Sequence, residues 1–263
     1  MTPAAAGDAP DHTIDAFHRG RFWLVQPANG GHRAGMDAMM LAAAVPSNFV
    51  GRLADFGAGA GAAGLAVISR CEQARVTLVE RSLEMAVFAE ASLAHPANQH
   101  LSDRAEVLRA DVTLTGRARN AAGLGDHQFD FVIMNPPFNA GKDRATPNTL
   151  RREAHVMAEG LFEAWLRSAA AVTKPRGGLA IIARPESLAA ILDALAGRFG
   201  AAEIVPVHPL VDEAAIRIVV RAFLGARGKL SLLPPLVLHE KGGKGLLPSA
   251  DAISNGTATL FGD

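Results

Sequence analysis

A run of glycines behind a short apolar segment is the feature that most constrains how this chain can fold. The segment RLADFG (52–57) has the composition of a buried strand, and residues 62–71 repeat apolar side chains at helical spacing. Glycines at such a junction let the backbone approach a ligand closely, although a plain tight turn uses them too. Both interpretations predict a strand, a turn and a helix. The glycines are Gly57, Gly59, Gly61 and Gly64.

The rest of the chain alternates between strand-like and helical patterns. Strand-like runs cover 75–80, 105–111, 129–134 and 179–183, and helical patterns cover 82–94 and 158–172. Strands that alternate with helices predict a doubly wound α/β fold with a mostly parallel sheet covered on both faces. Two C-terminal apolar runs, EIVPVHPL and AAIRIVVRAFL, follow each other without a clear helix and predict a closing antiparallel pair.

Length and composition set the broader limits. The chain has 263 residues and a hydrophobic fraction of 49%, which suits one domain with a large core. We expect a flexible N-terminal arm over residues 1–20 and a single domain with a C-terminal extension over 21–263. With 26 basic and 26 acidic residues, any nucleic-acid binding must use a local patch. One cysteine, no signal-peptide pattern and no long apolar run predict a cytoplasmic protein without a membrane span.

Acidic residues end the second and third predicted strands. Glu80 can accept both hydroxyls of a ribose at its strand end, and Asp111 is within reach of an adenine edge. Together with Asp55 and the glycines they predict a nucleotide-like ligand. The spacing Gly59-x-Gly61-x-x-Gly64 also fits the dinucleotide fingerprint of dehydrogenases, so the glycines alone leave the cofactor open.

The segment after the fourth predicted strand carries the chemistry. Asn135 lies at the edge where open α/β sheets bind their ligands, and Pro136 and Pro137 restrict the backbone there. The Asn amide oxygen and the Pro136 carbonyl can accept both N–H groups of a planar amino or amide nitrogen, which favours its attack on a sulfonium methyl. Phe138 offers a stacking face, worth about 1–3 kcal/mol for a base. A structural loop with two prolines is the less specific alternative. The predicted catalytic residues are Asn135, Pro136, Pro137 and Phe138.

These residues resemble those of class I S-adenosylmethionine-dependent methyltransferases of the NPPY/NPPF type. The resemblance is closest to the bacterial tRNA adenine-N6 methyltransferases that modify valine tRNA, and it covers roughly residues 22 to 257. It rests on DFGAGAG, NPPF, Gln26-Pro27, Arg33-Ala-Gly35-Met-Asp37, Lys174-Pro-Arg-Gly177-Gly178 and the tail LPPLVLHE. It implies a seven-stranded, mostly parallel Rossmann-like sheet with an antiparallel last strand.

The resemblance also implies a cofactor and its contacts. S-adenosylmethionine would lie with its methionine end under the segment Arg33 to Asp37, its ribose on Glu80 and its adenine on Asp111. A plain surface charge at Arg33 and a helix N-cap at Asp37 stay open as alternatives. The cofactor-binding residues expected on this basis are Arg33, Gly35, Asp37, Asp55, Gly57, Gly59, Gly61, Glu80, Asp111 and Asn135.

The preferred substrate is the exocyclic amino group of adenine in RNA, with tRNA as the preferred RNA. A basic stretch beside the proposed active site could contact phosphates, or could be a solvated loop partly neutralised by Asp143 and Glu153. The expected substrate-binding residues are Phe138, Lys142, Arg144, Arg151 and Arg152. A second candidate patch, in the arm, consists of His18, Arg19 and Arg21.

Other residues and other functions carry less weight. Cys71 and Trp165 are expected in the core, and His208 and His239 lack metal-ligand spacing, so no metal site is predicted. The first alternative function is methylation of a glutamine amide in a protein such as a release factor. An NAD-dependent dehydrogenase and a non-catalytic RNA-binding protein are further alternatives, and the NPPF segment argues against both.

Overall fold

The computed structural model describes residues 11–28, 34–137, 149–243 and 245–263, and of residues 149–159 it describes the backbone alone. Eleven strands run through these ranges. They are β1 His12–Phe17, β2 Phe22–Pro27, β3 Gly51–Phe56, β4 Ala74–Glu80, β5 Ala105–Arg109, β6 Phe129–Met134, β7 Thr173–Ala183, β8 Phe199–His208, β9 Arg217–Leu224, β10 Ser231–Leu232 and β11 Leu236–Val237.

Eight α-helices accompany the strands in the same ranges. They are α1 Met36–Ala42, α2 Ala62–Arg70, α3 Leu83–Ala94, α4 Gln99–Ser102, α5 Gly116–Ala121, α6 Thr149–Val172, α7 Leu188–Leu195 and α8 Pro248–Ser254. Short 3₁₀ turns cover His18–Gly20, Pro96–Asn98 and Pro185–Ser187. None of the described helices is long and apolar enough to cross a lipid bilayer.

The main sheet has the predicted doubly wound form. Its order is β10-β8-β9-β7-β6-β3-β4-β5, with β11 also paired to β8. Strands β3 to β7 pair in parallel, whereas β9 runs antiparallel to both β7 and β8. Strands β3 to β9 are the seven predicted strands, and the two-residue strands β10 and β11 extend the edge. The predicted α/β class and the antiparallel last strand are confirmed.

The sheet separates two apolar cores, as the alternation of side chains along each strand requires. On β6, Phe131 and Ile133 belong to the core under α1, α2 and α3. Val132 and Met134, their neighbours in the sequence, belong to the core under α6 and α7. Because helices cover both faces of the sheet, a ligand is expected to bind at its edges, above all at the carboxyl ends of the parallel strands.

The N-terminal region differs from the expected flexible arm. Residues His12–Phe17 form β1, which pairs antiparallel with β2 in a two-stranded sheet of its own. Side chains from the α3 region bind the β2 backbone: the Trp23 N–H donates to Asn98 Oδ1 at 2.8 Å and the Val25 N–H to Ser92 Oγ at 2.9 Å. The arm prediction is therefore wrong for residues 12–20. Residues 1–10 lie outside the described part of the chain.

The second candidate RNA patch is also corrected by this hairpin. His18 is buried, its ring lies edge-on to Phe22, and its Nδ1 is 2.9 Å from Ser69 Oγ. Burial, followed by the charges of Arg70 and Arg21, lowers the pKa of His18 to about 4, so the ring is neutral at physiological pH. Arg19 forms an ion pair with Asp251 at 2.7 Å. His18 is a core residue and cannot contribute to a phosphate-binding surface.

Candidate active site

A cavity of about 740 Å³ opens at the carboxyl ends of the parallel strands. Its wall is formed by residues that follow β3, β4, β5, β6 and β7, by the start of α1 and by Arg217 at the start of β9. Binding cavities for small molecules span roughly 300–1,000 Å³, so a nucleotide-sized ligand fits. The cavity is at the edge where an open α/β sheet is expected to bind one.

The glycine-rich loop after β3 forms one side of the cavity. Gly57 has φ +68°, and a Cβ atom built there would lie 2.6 Å from Cη2 of Trp165. A side chain at this position would therefore both strain the backbone and collide with the indole. Gly64, in the first turn of α2, donates its N–H to Asp55 Oδ2 at 2.8 Å. Two contacts therefore fix the path of the loop: the hydrogen bond to the buried carboxyl of Asp55 and the packing of Trp165 against Gly57.

Asp55 is the most deeply buried acid of the site, with 3% of its surface exposed. Burial raises the pKa of its carboxyl to about 7; the hydrogen bond from Gly64 opposes the shift and the charge of Glu80 adds to it. The carboxyl is thus protonated in a substantial fraction of molecules near neutral pH. Its hydrogen bond to the helix backbone makes Asp55 an organiser of the loop, although it also lines the cavity.

Glu80 ends β4 and is held by two backbone donors. The Gly59 N–H donates to Oε2 at 2.9 Å and the Ser82 N–H to Oε1 at 2.7 Å. Ser82 in turn caps α3 by accepting a hydrogen bond from the Met85 N–H. Each carboxylate oxygen can accept a further hydrogen bond, so Glu80 can still bind two hydroxyl groups of a ligand. The carboxylate is buried and preoriented beside the glycine loop.

Asp111, just beyond β5, is more exposed than the other two acids. Its Oδ1 accepts hydrogen bonds from the Thr113 N–H at 2.8 Å and the Thr113 hydroxyl at 2.7 Å. Partial burial tends to raise the pKa of Asp111, but the bonds from Thr113 and the charge of Arg81 outweigh it and leave the pKa below its ordinary value. Asp111 is therefore a charged hydrogen-bond acceptor at the end of the cavity opposite Asn135.

The segment Asn135-Pro136-Pro137 lies at the cavity wall directly after β6. Asn135 is half-buried, Pro136 is buried and Pro137 is exposed. Met134, the last residue of β6, pairs with Phe56 of β3 on one side and Ile181 of β7 on the other. Asn135 therefore leaves the middle of the sheet, between the glycine loop and the strand that leads to Arg184. Phe138 lies outside the described residues.

The segment that precedes α1 forms the remaining wall. Gly35 and Asp37 line the cavity, and Asp37 Oδ2 accepts a hydrogen bond from Arg217 Nε at 2.8 Å. Buried Gln26 accepts a hydrogen bond from the Ala34 N–H at 2.7 Å, which ties this segment to the N-terminal hairpin. Gly35, not Asp37, occupies the N-cap position of α1, so the N-cap alternative for Asp37 is wrong. Arg33 lies outside the described residues.

The cavity brings most of the expected site residues together. Gly35, Asp37, Asp55, Gly57, Gly59, Glu80, Asp111, Asn135, Pro136 and Pro137 all line it. Gly61 is next to it, at the N-cap of α2 with φ +94°. Lys142 and Arg144 lie outside the described residues, and the structure describes no side chains for Arg151 and Arg152. Trp165 belongs to the core, as expected, but also lines the cavity.

Sequence reasoning missed Arg184 and Arg217. Arg184 follows β7, so the strand-end rule that selected Glu80 and Asp111 would also have selected it. Arg217 begins β9, and the first residue of an antiparallel strand lies at the same edge as the last residue of its parallel neighbour. The sequence predicted this strand as a run that starts at Ala214, and only the structure places its start at Arg217.

The comparison with known families decides the class of this protein. The model of the methyltransferase small domain matches residues 33–208, which contain the glycine loop, all three acids and the Asn-Pro-Pro segment. The chain belongs to the methyltransferase small domain family. Membership confirms the methyltransferase class and its cofactor, S-adenosylmethionine, and decides against the dehydrogenase alternative. The cavity volume, the acids at two strand ends and the glycine loop that holds one of them, Glu80, fit this cofactor.

Relatives of this methyltransferase include proteins described as acting on different substrates. A structure of protein Atu636 from Agrobacterium tumefaciens, described as a predicted O-methyltransferase, is 46% identical over 85% of this chain and 98% of that one, with a TM-score of 0.75. Ribosomal RNA small subunit methyltransferase C of Pseudomonas fluorescens is 38% identical over 113 residues. That match covers 42% of this chain and 30% of the curated relative.

The T. thermophilus 16S rRNA N2 G1207 methyltransferase, solved with AdoMet and guanosine, shares the fold. Its TM-score is 0.55 at 18% identity, over 85% of this chain and 53% of that one. At this identity the likeness concerns the architecture of the sheet and not the substrate.

Proposed function

We propose that this protein methylates the exocyclic amino group of a base in RNA, with adenine in tRNA as the preferred target. The observation that carries the proposal is the position of Asn135 and Pro136 on the wall of the same cavity as Glu80 and Asp111. The Asn135 side-chain oxygen and the Pro136 carbonyl are two acceptors that suit a nitrogen with two N–H groups in one plane. The four residues together pair a cofactor site with a site for such a nitrogen.

S-adenosylmethionine, when bound, would supply a methyl group on a positively charged sulfur; transfer breaks the S–CH₃ bond and leaves a neutral thioether. Glu80 would hold its ribose hydroxyls, Asp111 its adenine, and Gly35 and Asp37 its methionine end. The loop from Gly57 to Gly61 would pass beside the cofactor, and its Gly59 N–H holds the Glu80 carboxylate in place.

Asn135 and Pro136 act on the acceptor nitrogen. The lone pair of an exocyclic amino group is delocalised into the ring, so the nitrogen is a poor nucleophile while it stays planar. The Asn135 side-chain oxygen and the Pro136 carbonyl accept its two N–H groups, and these bonds strengthen as the nitrogen becomes pyramidal and positively charged. The proton is lost to water after the new N–C bond has formed, so no strong base is needed. Half-burial of Asn135 strengthens both bonds by reducing competition from water.

A second candidate is the N2 amino group of guanine in ribosomal RNA. The 38% identity over 113 residues to ribosomal RNA small subunit methyltransferase C favours ribosomal RNA, and the T. thermophilus protein that shares the fold is described as an N2 G1207 methyltransferase. Guanine N2 has the same two N–H donors and the same delocalised lone pair as adenine N6, so the roles of Asn135 and Pro136 are unchanged.

RNA contacts outside the described residues are part of the proposal. Phe138 would stack on the target base, and the cations after it would bind phosphates. Those cations are Lys142, Arg144, Arg151 and Arg152. Replacing all four with Ala should weaken RNA binding and flatten its dependence on salt, by up to about one unit of the log–log slope for each cation that binds a phosphate.

The deciding experiment is methylation of RNA from a strain that lacks this gene. Bulk tRNA and ribosomal RNA are incubated separately with the purified enzyme and S-adenosylmethionine, then digested and analysed by nucleoside mass spectrometry. N6-methyladenosine in tRNA is the expected product, and N2-methylguanosine in ribosomal RNA would select the second candidate. Absence of methylated nucleosides from both RNAs, together with methyl transfer to a glutamine amide of a release factor, would overturn the RNA proposal.

A further inference from the structure

Arg184 is a cation at the active-site cavity that has no role in the proposed methyl transfer. It follows Ala183, the last residue of β7, and its side chain is exposed at the cavity rim. In the β6–β7 register Met134 pairs with Ile181, so Pro137 and Arg184 each lie three residues beyond a paired position. The two strands therefore carry the Asn-Pro-Pro segment and Arg184 to the same level above the sheet.

Two further arginines of the described residues line the cavity, and both have acidic partners. Arg217 Nε is 2.8 Å from Asp37 Oδ2, and Arg81 Nη1 is 3.9 Å from Asp111 Oδ2. Within the described part of the chain, no carboxylate lies within ion-pair distance of Arg184. Ala183 pairs with Ile218, so Arg184 also lies beside Arg217 on the neighbouring strand. Asp37 neutralises Arg217, so the neighbouring Arg184 is the cation that an external anion can bind.

The topology separates Arg184 from the groups expected to bind the nucleoside of the cofactor. The order of strands is β9-β7-β6-β3-β4-β5, and those groups follow β3, β4 and β5. Adjacent strands are about 4.8 Å apart, so Arg184 is about 10 Å from the strand of the glycine loop and about 14 Å from that of Glu80. Asn135, on β6, lies between. Arg184 is thus on the side of Asn135 remote from the cofactor nucleoside, and the carboxylate of the cofactor's methionine end is the competing anion that the test below distinguishes.

We propose that Arg184 binds a backbone phosphate of the RNA, next to the nucleotide whose base is methylated. The inference rests on the proposed function and adds a substrate-binding residue to it. A base that enters the cavity at Asn135 remains joined to its sugar and phosphates, which must leave by the rim. An exposed guanidinium with five N–H donors, and with no carboxylate of the described residues at ion-pair distance, suits one such phosphate. Asp37 keeps Arg217 neutralised, so Arg184 supplies the free charge.

The test compares two arginines on one strand. Arg176 is exposed near the opposite end of β7 and lies within the same strand, so Arg176→Gln removes a like charge far from the cavity. Binding of bulk tRNA from a strain lacking the gene is measured at several salt concentrations for the wild type, Arg184→Gln and Arg176→Gln. Binding of S-adenosylmethionine to each protein is measured by calorimetry.

Arg184→Gln should flatten the log–log salt dependence by up to about one unit and weaken tRNA binding about tenfold at low salt. Its affinity for S-adenosylmethionine should equal that of the wild type, and Arg176→Gln should alter neither quantity. An unchanged slope in Arg184→Gln, or an equal flattening in Arg176→Gln, would overturn the inference. Loss of cofactor affinity with an unchanged slope would show that Arg184 binds the cofactor carboxylate instead.

Different results would overturn the proposed function and the role of Arg184. If the wild type neither binds nor methylates RNA, the proposed function is wrong and this phosphate site falls with it. If the wild type methylates RNA and Arg184→Gln does so with the same salt dependence, only the role of Arg184 is wrong.

Discussion

Single side chains at this site are oriented by the backbone around them before a ligand binds. Glu80 shows this most clearly, because the N–H groups of Gly59 and Ser82 fix both of its oxygens. A preoriented carboxylate loses little conformational entropy on binding and can use its remaining lone pairs for two hydroxyls. Asn135 is positioned differently, by its place after a buried strand and by the two prolines that follow it.

Glu80→Gln should weaken the binding of S-adenosylmethionine. Gln has one acceptor oxygen in place of two and no charge, and a hydrogen bond to a charged group contributes about 1.5–3 kcal/mol. The dissociation constant measured by calorimetry should rise about 10- to 100-fold. Glu90→Gln, an exposed acid on α3, is the matched control and should leave the constant unchanged. Equal affinity of the wild type and Glu80→Gln would remove Glu80 from the ribose site.

Asn135→Ala should separate catalysis from cofactor binding. Removing a hydrogen-bond partner of the transition state lowers turnover by about 100-fold or more, while the ground-state contacts of the cofactor stay in place. Single-turnover methylation and calorimetry of the same preparation measure the two quantities. Asn120→Ala, an exposed position on α5, controls for the loss of an amide. Near-normal turnover in Asn135→Ala would mean that the segment is structural.

At the scale of elements, the site depends on turns that sit tightly between a strand and a helix. The loop between β3 and α2 passes under Trp165 of α6, so its shape depends on a helix more than ninety residues downstream. The position of α6 thereby influences the cofactor site, although no residue of that helix was assigned to it from the sequence.

Gly57→Ala should disturb the fold more than Gly20→Ala. Both glycines have positive φ, +68° and +85°, a conformation that costs an L-residue about 1–2 kcal/mol. The added Cβ at Gly57 also meets Trp165, whereas at Gly20 nothing lies within 4 Å. Overpacking adds about 1–3 kcal/mol, so chemical denaturation should give a larger loss for Gly57→Ala, with weakened cofactor binding. Equal losses for the two variants would contradict the close packing of Trp165 on the loop.

Much of this arrangement was predictable element by element. The strand ends at Glu80, Asp111 and Asn135 follow from local periodicity together with the rule that parallel strands share an edge. The N-terminal hairpin was not predictable in that way, because β2 owes its position to Ser92 and Asn98, far away in sequence. Arg184 and Arg217 meet only through the register of β7 and β9, which local periodicity does not determine. Contacts between residues far apart in the sequence decide whether such a residue is a structural or a ligand-binding one, and local sequence patterns do not reveal these contacts.

The whole molecule has a neutral formal charge, and both acids and arginines line the cavity at one edge of its sheet. With 26 basic and 26 acidic residues, long-range attraction to RNA would be weak, so the proposed RNA binding would depend on a few cations near this edge. The same edge contains Asp55, a buried acid with a raised pKa. The free energy of unfolding of the whole chain is therefore linked to the protonation of one residue that lines the cavity.

Asp55 should make the protein less stable as the pH rises from about 4 to about 7. Its carboxyl titrates at about 7 in the folded protein and at 3.8 in the unfolded chain, so the folded state binds more protons in this interval. The stabilisation is complete below the unfolded value and is lost as the pH approaches the folded one. Asp55→Asn keeps an acceptor for the Gly64 N–H but cannot titrate.

Urea denaturation of the wild type and Asp55→Asn at several pH values between about 4 and 8 isolates this group. The difference between their free energies of unfolding should change in favour of Asp55→Asn as the pH rises through the interval. A difference that is constant with pH would mean that Asp55 is ionised throughout.

Because Trp165 is buried at the cavity wall, its intrinsic fluorescence can report the binding of a ligand. The chain has two tryptophans and no tyrosine. Trp23, the other one, stacks on His95 in the N-terminal hairpin and does not line the cavity. In a Trp23→Phe variant all indole fluorescence would come from the cavity wall, and a ligand that enters would change the intensity or the colour of that emission. Cofactor and RNA could then be titrated without a label, and the speed at which each arrives could be followed by mixing.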